Sequence, residues 1–300
     1  MIRNFNKHLH QIWYQPGDLK DQWKDVGTED YFKLQSTFIE FCNNRDWTYT
    51  LWREDTILEF IQRHFPQYID EFNGLDSIIK KVDCARLMIL YVFGGVYVDI
   101  DAYLHPHQDL QDFLELKEIV REEYNPTMWH IDPVMPIEHQ YDLIVGQEKT
   151  ICEYHYNKYG IVVPKLNNAV IFTRPHFDFF LQVIERGFKR KNNSIINSFG
   201  VQTFSSMIYE HMARNINKII DVDDYNYPSN ILTVPYIYFY ELDTQTDWYT
   251  DIGGIEKHKY SENQFIVHKF DGNWDGEQYS EWLDKLTNGN IVKPDEKKSG

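Results

Sequence analysis

The chain predicts an α/β fold in which one mostly parallel mixed sheet is covered by helices on both faces. Three observations carry this reading. "HLHQIWY" (8–14) and "WTYTLW" (47–52) are short, apolar, β-rich runs, and "EDYFKLQSTFIEFCNN" between them spaces Tyr31, Leu34, Phe38 and Phe41 at helical intervals. The same alternation of strand and helix continues down the chain, the pattern of a sheet flanked by crossover helices. Finally, "VYVDID" ends an apolar run on carboxylates, and sheets of this class bind ligands beyond the carboxyl ends of their strands.

The later elements follow the same logic. "EDTILEFIQRHF" (54–65) and "LDSIIKKVDCARLMILYVF" (75–93) read as helices. The second opens near an Asp or Ser cap and stops at Gly94-Gly95, where positive φ is available. "VYVDI" (96–100) is the next strand, followed by "NAVIFT" (168–173), "ILTVPYIYFY" (231–240) and "FIVHKF" (265–270), with helices around 176–190, 201–214 and 278–286. No repeat interrupts this order, so residues 1–290 are expected to form one domain and "IVKPDEKKSG" (291–300) a flexible tail.

Composition narrows the function. At 300 residues, 42% hydrophobic and 16% aromatic, the chain can bury a sizeable core. Its net charge of −16 opposes a polyphosphate backbone, and Lys189-Arg190-Lys191 reads as a solvated helix end, so nucleic acid is excluded as a partner. The N-terminal stretch lacks the apolar core of a signal peptide, and no run approaches the ~18 apolar residues of a membrane span. A cytoplasmic enzyme is expected. Cys42, Cys84 and Cys152 lack metal-ligand or disulfide spacing and read as reduced thiols.

Asp-x-Asp occurs twice. Asp221 and Asp223 sit in the polar, turn-rich "DVDDYNYPSN" and read as solvated turn residues. Asp99 and Asp101 instead end a buried strand, whose alternation puts both side chains on one side, roughly 7 Å apart. Carboxylates that close in a partly dry site repel and protonate unless a cation joins them. Hard oxygen ligands beside a phosphate suit magnesium or manganese. The alternative is a strand-end pair that only caps the following turn.

The run "KVDCARLMILYVFGGVYVDIDAYLHP" resembles the signature block of the DXD-containing glycosyltransferases related to yeast initiation-specific mannosyltransferase, bacterial capsular polysaccharide transferases and the glucosyltransferase domains of clostridial toxins. Asp83 and Arg86, Tyr91 with Gly94 and Gly95, then Asp99 and Asp101 supply its elements in order. "KHLHQIWYQPG", "YTLWRED", "NNAVIFTRPHFDFF" and "VHKFDGNW" are similar to further family segments, also in order.

The resemblance implies a GT-A-type domain that moves a hexose with retention from a nucleotide-diphosphate sugar, a UDP-sugar before GDP-mannose. The acceptor would be a glycan, lipid-linked sugar or protein, and the setting a soluble bacterial or viral-type enzyme, as in polysaccharide biosynthesis. It implies Mn²⁺ or Mg²⁺ held by Asp99, Asp101 and His268, and catalytic roles for Asp83, Arg86, Asp99 and Asp101. Trp13, Asp83, Arg86, Asp99, Asn168 and Trp274 would bind the donor, Trp13 by stacking on the base. No dedicated nucleophile stands out, which favours front-face attack over a covalent glycosyl-enzyme. The rival readings are a metal-dependent phosphohydrolase or nucleotide-sugar pyrophosphatase, and a non-catalytic sugar-binding module.

Overall fold

The computed structural model describes residues 2–14, 28–105, 108–120, 134–137, 140–151, 157–158, 163–216, 230–235, 238–239 and 264–268. All of them lie in the first of the chain's two compact units, Met1–Lys269, the second being Phe270–Gly300. Trp274, Asp221, Asp223, the helix expected at 278–286 and the tail at 291–300 lie outside the described residues.

The sheet is built from β1 (His8–Ile12), β2 (Thr48–Trp52), β3 (Gly95–Val98), β7 (Leu143–Ile151), β8 (Pro164–Thr173) and β9 (Ile231–Val234), in the order β2-β1-β3-β8-β7-β9. β1 pairs in parallel with both β2 and β3, and β7 with β9, while β8 runs antiparallel to its neighbours β3 and β7. The sheet is therefore mixed and mostly parallel, as expected. Two small antiparallel pairs lie outside it, β4 (Ala102–Leu104) with β10 (Ile266–His268) and β5 (Glu118–Val120) with β6 (Val134–Pro136).

Seven helices occur among the described residues: α1 (Thr28–Arg45), α2 (Glu54–His64), α3 (Ile69–Asn73), α4 (Ile78–Phe93), α5 (Leu110–Glu115), α6 (Phe179–Lys189) and α7 (Val201–Ile216). They divide between the two faces because strand side chains alternate. Ile12, Tyr97 and Ile171 join one cluster with Ile57, Leu87, Val183 and Phe204 from α2, α4, α6 and α7. Phe172 points the other way, onto Phe113 of α5 with ring centroids 5.0 Å apart.

α4 carries the first half of the site, and its ends are set locally. The Ser77 hydroxyl accepts from the Ile79 N–H at 3.2 Å, capping the start. Gly94 ends the helix at φ 61° and Gly95 follows at φ 83°. At Gly95 a Cβ would run into the His8 carbonyl oxygen, so only glycine lets β3 leave the helix this close to β1.

β1 also buries His10, which accepts from the Trp52 indole at Nδ1 (3.2 Å) and contacts the Gly94 carbonyl oxygen through Nε2 (3.0 Å). These partners require a neutral ring protonated on Nε2. The His8 ring stacks on it at 3.9 Å, and burial lowers the His8 pKa from 6.5 to about 4. A folded pKa below the unfolded one means the contribution is intact above pH 6.5 and is lost as pH falls through about 4. The thermal midpoint is expected to drop across that window, and less steeply in His8→Gln. Parallel pH profiles of the two proteins would rule out the buried His pair as its source.

Candidate active site

β3 stops at Val98, and the chain turns at once: the Ala102 N–H bonds the Asp99 carbonyl oxygen at 3.2 Å. This corrects the expected pleat. Asp99 and Asp101 are brought together by a tight turn rather than by strand alternation. The turn feeds β4, whose partner β10 sets His268 opposite Ala102. His268 Nε2 thereby lies 3.2 Å from Asp101 Oδ1 and 3.8 Å from Asp99 Oδ2.

One ligand atom from each of Asp99, Asp101 and His268 lies within 4.8 Å of the others, and all three residues are buried. Ligands in adjacent octahedral positions on an ion at ~2.1 Å sit about 3 Å apart, so the spacing fits a divalent cation. Asp99 Oδ2 is buried without a hydrogen-bond partner, an orphan that a cation would satisfy. Burial opposes protonation of His268, yet the Asp101 carboxylate at 3.2 Å and then that of Asp99 at 3.8 Å outweigh it and raise its pKa to about 10. The same carboxylates that would hold a cation thus favour positive charge at this position. Two carboxylates and an imidazole suit manganese or magnesium with water completing the shell.

The other oxygen of Asp99 is fixed from behind. Arg86, 1% exposed, donates from Nη2 to Asp99 Oδ1 at 2.9 Å, and the Tyr97 hydroxyl donates to the same oxygen at 2.7 Å. Arg86 Nη1 donates to the Asn168 carbonyl oxygen (2.7 Å) and lies 3.2 Å from Asp83 Oδ1. The Asn168 amide completes the brace by donating to Asp83 Oδ1 at 3.1 Å. Burial raises the Asp83 pKa to about 6, with the Arg86 charge and the Asn168 bond opposing the rise and the Asp99 charge adding to it. The guanidinium also lies 4.5 Å over the Tyr97 ring.

Asp83, Arg86, Asp99, Asp101, Asn168 and His268 thus converge as one connected group. Trp13 is half-buried just past β1, its ring 5.7 Å from that of Tyr31. β1 and β3 run parallel, with Leu9 opposite Val96 and His10 opposite Tyr97, so Trp13 and the turn that carries Asp99 follow the same ends of neighbouring strands. Asn167 turns elsewhere, donating to Glu148 at 2.8 Å and accepting from the Ala169 N–H at 2.7 Å.

The sequence reading missed Tyr97 and Gln11, whose amide donates to the Asp99 carbonyl oxygen at 3.2 Å. The signal for Tyr97 was available: two residues before Asp99 on one strand, it shares its face. Gln11 comes from a neighbouring strand, and nothing in linear spacing points to it.

Residues 31–123 match the family model described as a glycosyltransferase sugar-binding region containing the DXD motif. An uncharacterized glycosyltransferase, L373 of Acanthamoeba polyphaga mimivirus, is 24% identical over 232 residues, covering 74% of this chain and 73% of that protein. The initiation-specific alpha-1,6-mannosyltransferase of Saccharomyces cerevisiae is 28% identical over 144 residues, 42% of this chain and 29% of its own. Mannosyl phosphorylinositol ceramide synthase SUR1 of the same yeast is 32% identical over 95 residues, 32% of this chain and 22% of that one. The match spans only about a quarter of the length of such fungal proteins, 22% to 27%. The matched region contains Asp83, Arg86, Asp99 and Asp101, and over it the chain is similar to the glycosyltransferases that carry the DXD motif.

Proposed function

We propose that the chain is a metal-dependent, retaining hexosyltransferase that takes its sugar from a nucleotide-diphosphate donor, a UDP-sugar before GDP-mannose. One observation carries this reading: Asp99 offers an unsatisfied buried oxygen beside Asp101 and His268 while its other oxygen is clamped by Arg86 and Tyr97. Such a trio can hold Mn²⁺ or Mg²⁺, which supplies positive charge for the donor diphosphate and its departure.

The chain's own groups then divide the work. Asp99, Asp101 and His268 hold the cation, and Arg86 keeps Asp83 and Asp99 at fixed spacing. Asp83 and Asn168 orient the sugar ring, and Trp13 at the sheet end stacks on the base. Asp99 accepts a bond from Arg86 and Asp83 is ion-paired with the same guanidinium at 3.2 Å, which commits both to positioning rather than nucleophilic attack. That supports front-face transfer, in which the departing phosphate oxygen takes the acceptor proton. A glycan, lipid-linked sugar or protein serves as acceptor, and the names of the fungal relatives support a glycan or lipid. No helix among the described residues is long and apolar enough to cross a membrane, and we place the enzyme in the cytoplasm. A single domain over residues 1–290 completes the proposal.

Incubation with UDP-glucose, UDP-galactose, UDP-N-acetylglucosamine and GDP-mannose, with and without manganese, tests the reading. Slow metal-dependent release of nucleoside diphosphate and free sugar is expected without acceptor. Sugar phosphate as the product would replace the transferase with a pyrophosphatase, and donor binding without turnover would leave only a sugar-binding module.

Tyr97→Phe isolates the clamp. Loss of the bond to Asp99 Oδ1 should weaken manganese binding about 10-fold, the lower end for residues that orient metal ligands, with the fold retained. Unchanged affinity by calorimetry would mean that Arg86 alone orients the carboxylate.

A further inference from the structure

The fold gathers positive charge where linear sequence shows only a short basic run. A cleft of about 580 Å³ is lined by Lys158, Arg186, Lys189, Arg190 and Arg214, with a single carboxylate, Glu210. Five cations against one carboxylate leave a surplus of four positive charges in a chain whose net charge is −16. Lys189-Arg190-Lys191 lies at the end of α6, as its sequence suggested, with Lys189 exposed. Lys191 pairs with Glu71 at 3.2 Å, whereas Lys189 and Arg190 face the cleft.

The arrangement is organised as well as charged. Arg186 on α6 makes a two-pronged ion pair with Glu210 on α7, at 2.9 and 3.0 Å, and Arg214 reaches the same carboxylate at 3.5 Å. Burial pushes the Glu210 carboxyl up, but bonds from Arg186 and the charges of Arg186, Arg214 and Lys158 outweigh it and hold the group below its usual range. Glu210 is thus a fixed anion that ties the two helices and sets the arginines in place. Among the described residues, Lys189 and Arg190 have no carboxylate partner, so their charges are available.

Clustered like charge of this kind costs folding free energy unless an anion answers it. Guanidinium forks and a lysine ammonium match the oxygens of a phosphate better than a lone carboxylate does. The acidic remainder of the chain repels a long polyanion, so a compact phosphate group is favoured. We propose that the cleft between α6 and α7 is an anion site that takes a phosphate group, carried either on the headgroup of an anionic lipid or on a free phosphate ester. None of its residues is among those assigned to the metal and donor site, so the two proposals stand or fall separately.

The test compares the full chain with Lys189→Glu/Arg190→Glu in EDTA, which silences any metal-bound phosphate. Inorganic phosphate is titrated calorimetrically, and flotation is measured with phosphatidylcholine vesicles with and without phosphatidylserine. Salt-sensitive flotation with the anionic vesicles alone, at least ~10-fold weaker in the variant, establishes the headgroup source. Saturable phosphate binding without flotation, lost in the variant, establishes a free phosphate ester. Absence of both, or binding equal in the two proteins, overturns the proposal. Retained manganese-dependent donor hydrolysis and an unchanged thermal midpoint show that the variant is folded. Should the charge reversal melt early, Lys189→Gln/Arg190→Gln is carried through the same measurements and the same outcomes decide.

Discussion

Asp101→Ala is expected to reduce manganese-dependent turnover of a nucleotide sugar by at least ~10³-fold, the scale of losing one preorganised electrostatic contact to the developing charge. The reason is geometric. Asp101 Oδ1 stands 3.2 Å from His268 Nε2, and the two residues come from the turn after β3 and from β10. Removing this carboxylate leaves Asp99 and His268, too few ligands to keep an ion against water. The second readout is independent of chemistry. Wild type at about 100-fold excess of manganese over its Kd gains ~2.7 kcal/mol of stability, and the variant should gain almost none. A thermal midpoint that still rises with manganese in Asp101→Ala would remove this residue from the metal shell.

Arg86→Ala should be the most destabilising single change in the site, costing about 3–5 kcal/mol in urea unfolding. Arg86 is 1% exposed and lies against Asp83 Oδ1 at 3.2 Å and Asp99 Oδ1 at 2.9 Å, two carboxylates that are themselves buried. Its loss leaves Asp83 without a countercharge and Asp99 with only His268 at 3.8 Å, and removes the bond that the Asn168 carbonyl oxygen accepts from Nη1. Against a total stability of ~5–15 kcal/mol for a domain, that is a large fraction. Arg86→Lys keeps the charge but cannot fork between Asn168, Asp83 and Asp99, and should recover only part of the loss. A cost below ~1 kcal/mol for Arg86→Ala would mean that water reaches these carboxylates once the guanidinium is gone.

Much of this site could be read from the chain because its parts obey local rules. Asp83 and Arg86 are three apart on α4, Gly94 and Gly95 must follow where the backbone needs positive φ, and Asp99 comes directly after β3. Elements with strong periodicity, β1, β2, α1, α2 and α4, lie where the apolar spacing puts them. Others escaped for physical reasons. β7 is polar in its second half, and its pairing with β8 shifts register after Val145 and again after Gln147, so no simple alternation marks it. β4 is three residues long, and β8 begins at Pro164, four residues before the run that signals it. Cys42 and Cys84 are buried free thiols, as their spacing suggested, while Cys152 lies outside the described residues. The basic cleft needed the fold itself, because its cations come from three stretches that only α6 and α7 packing brings together.

The pairing of β10 with β4 bears on how this protein matures. Both carboxylates of the proposed metal site are in the chain once residue 101 is made, but the imidazole that would complete the trio is encoded only at residue 268 and reaches them by docking on β4. If the trio binds its ion as proposed, tight capture would report that β10 has been made and has docked on β4, and a chain halted at residue 123 would be expected to grip the ion far more weakly.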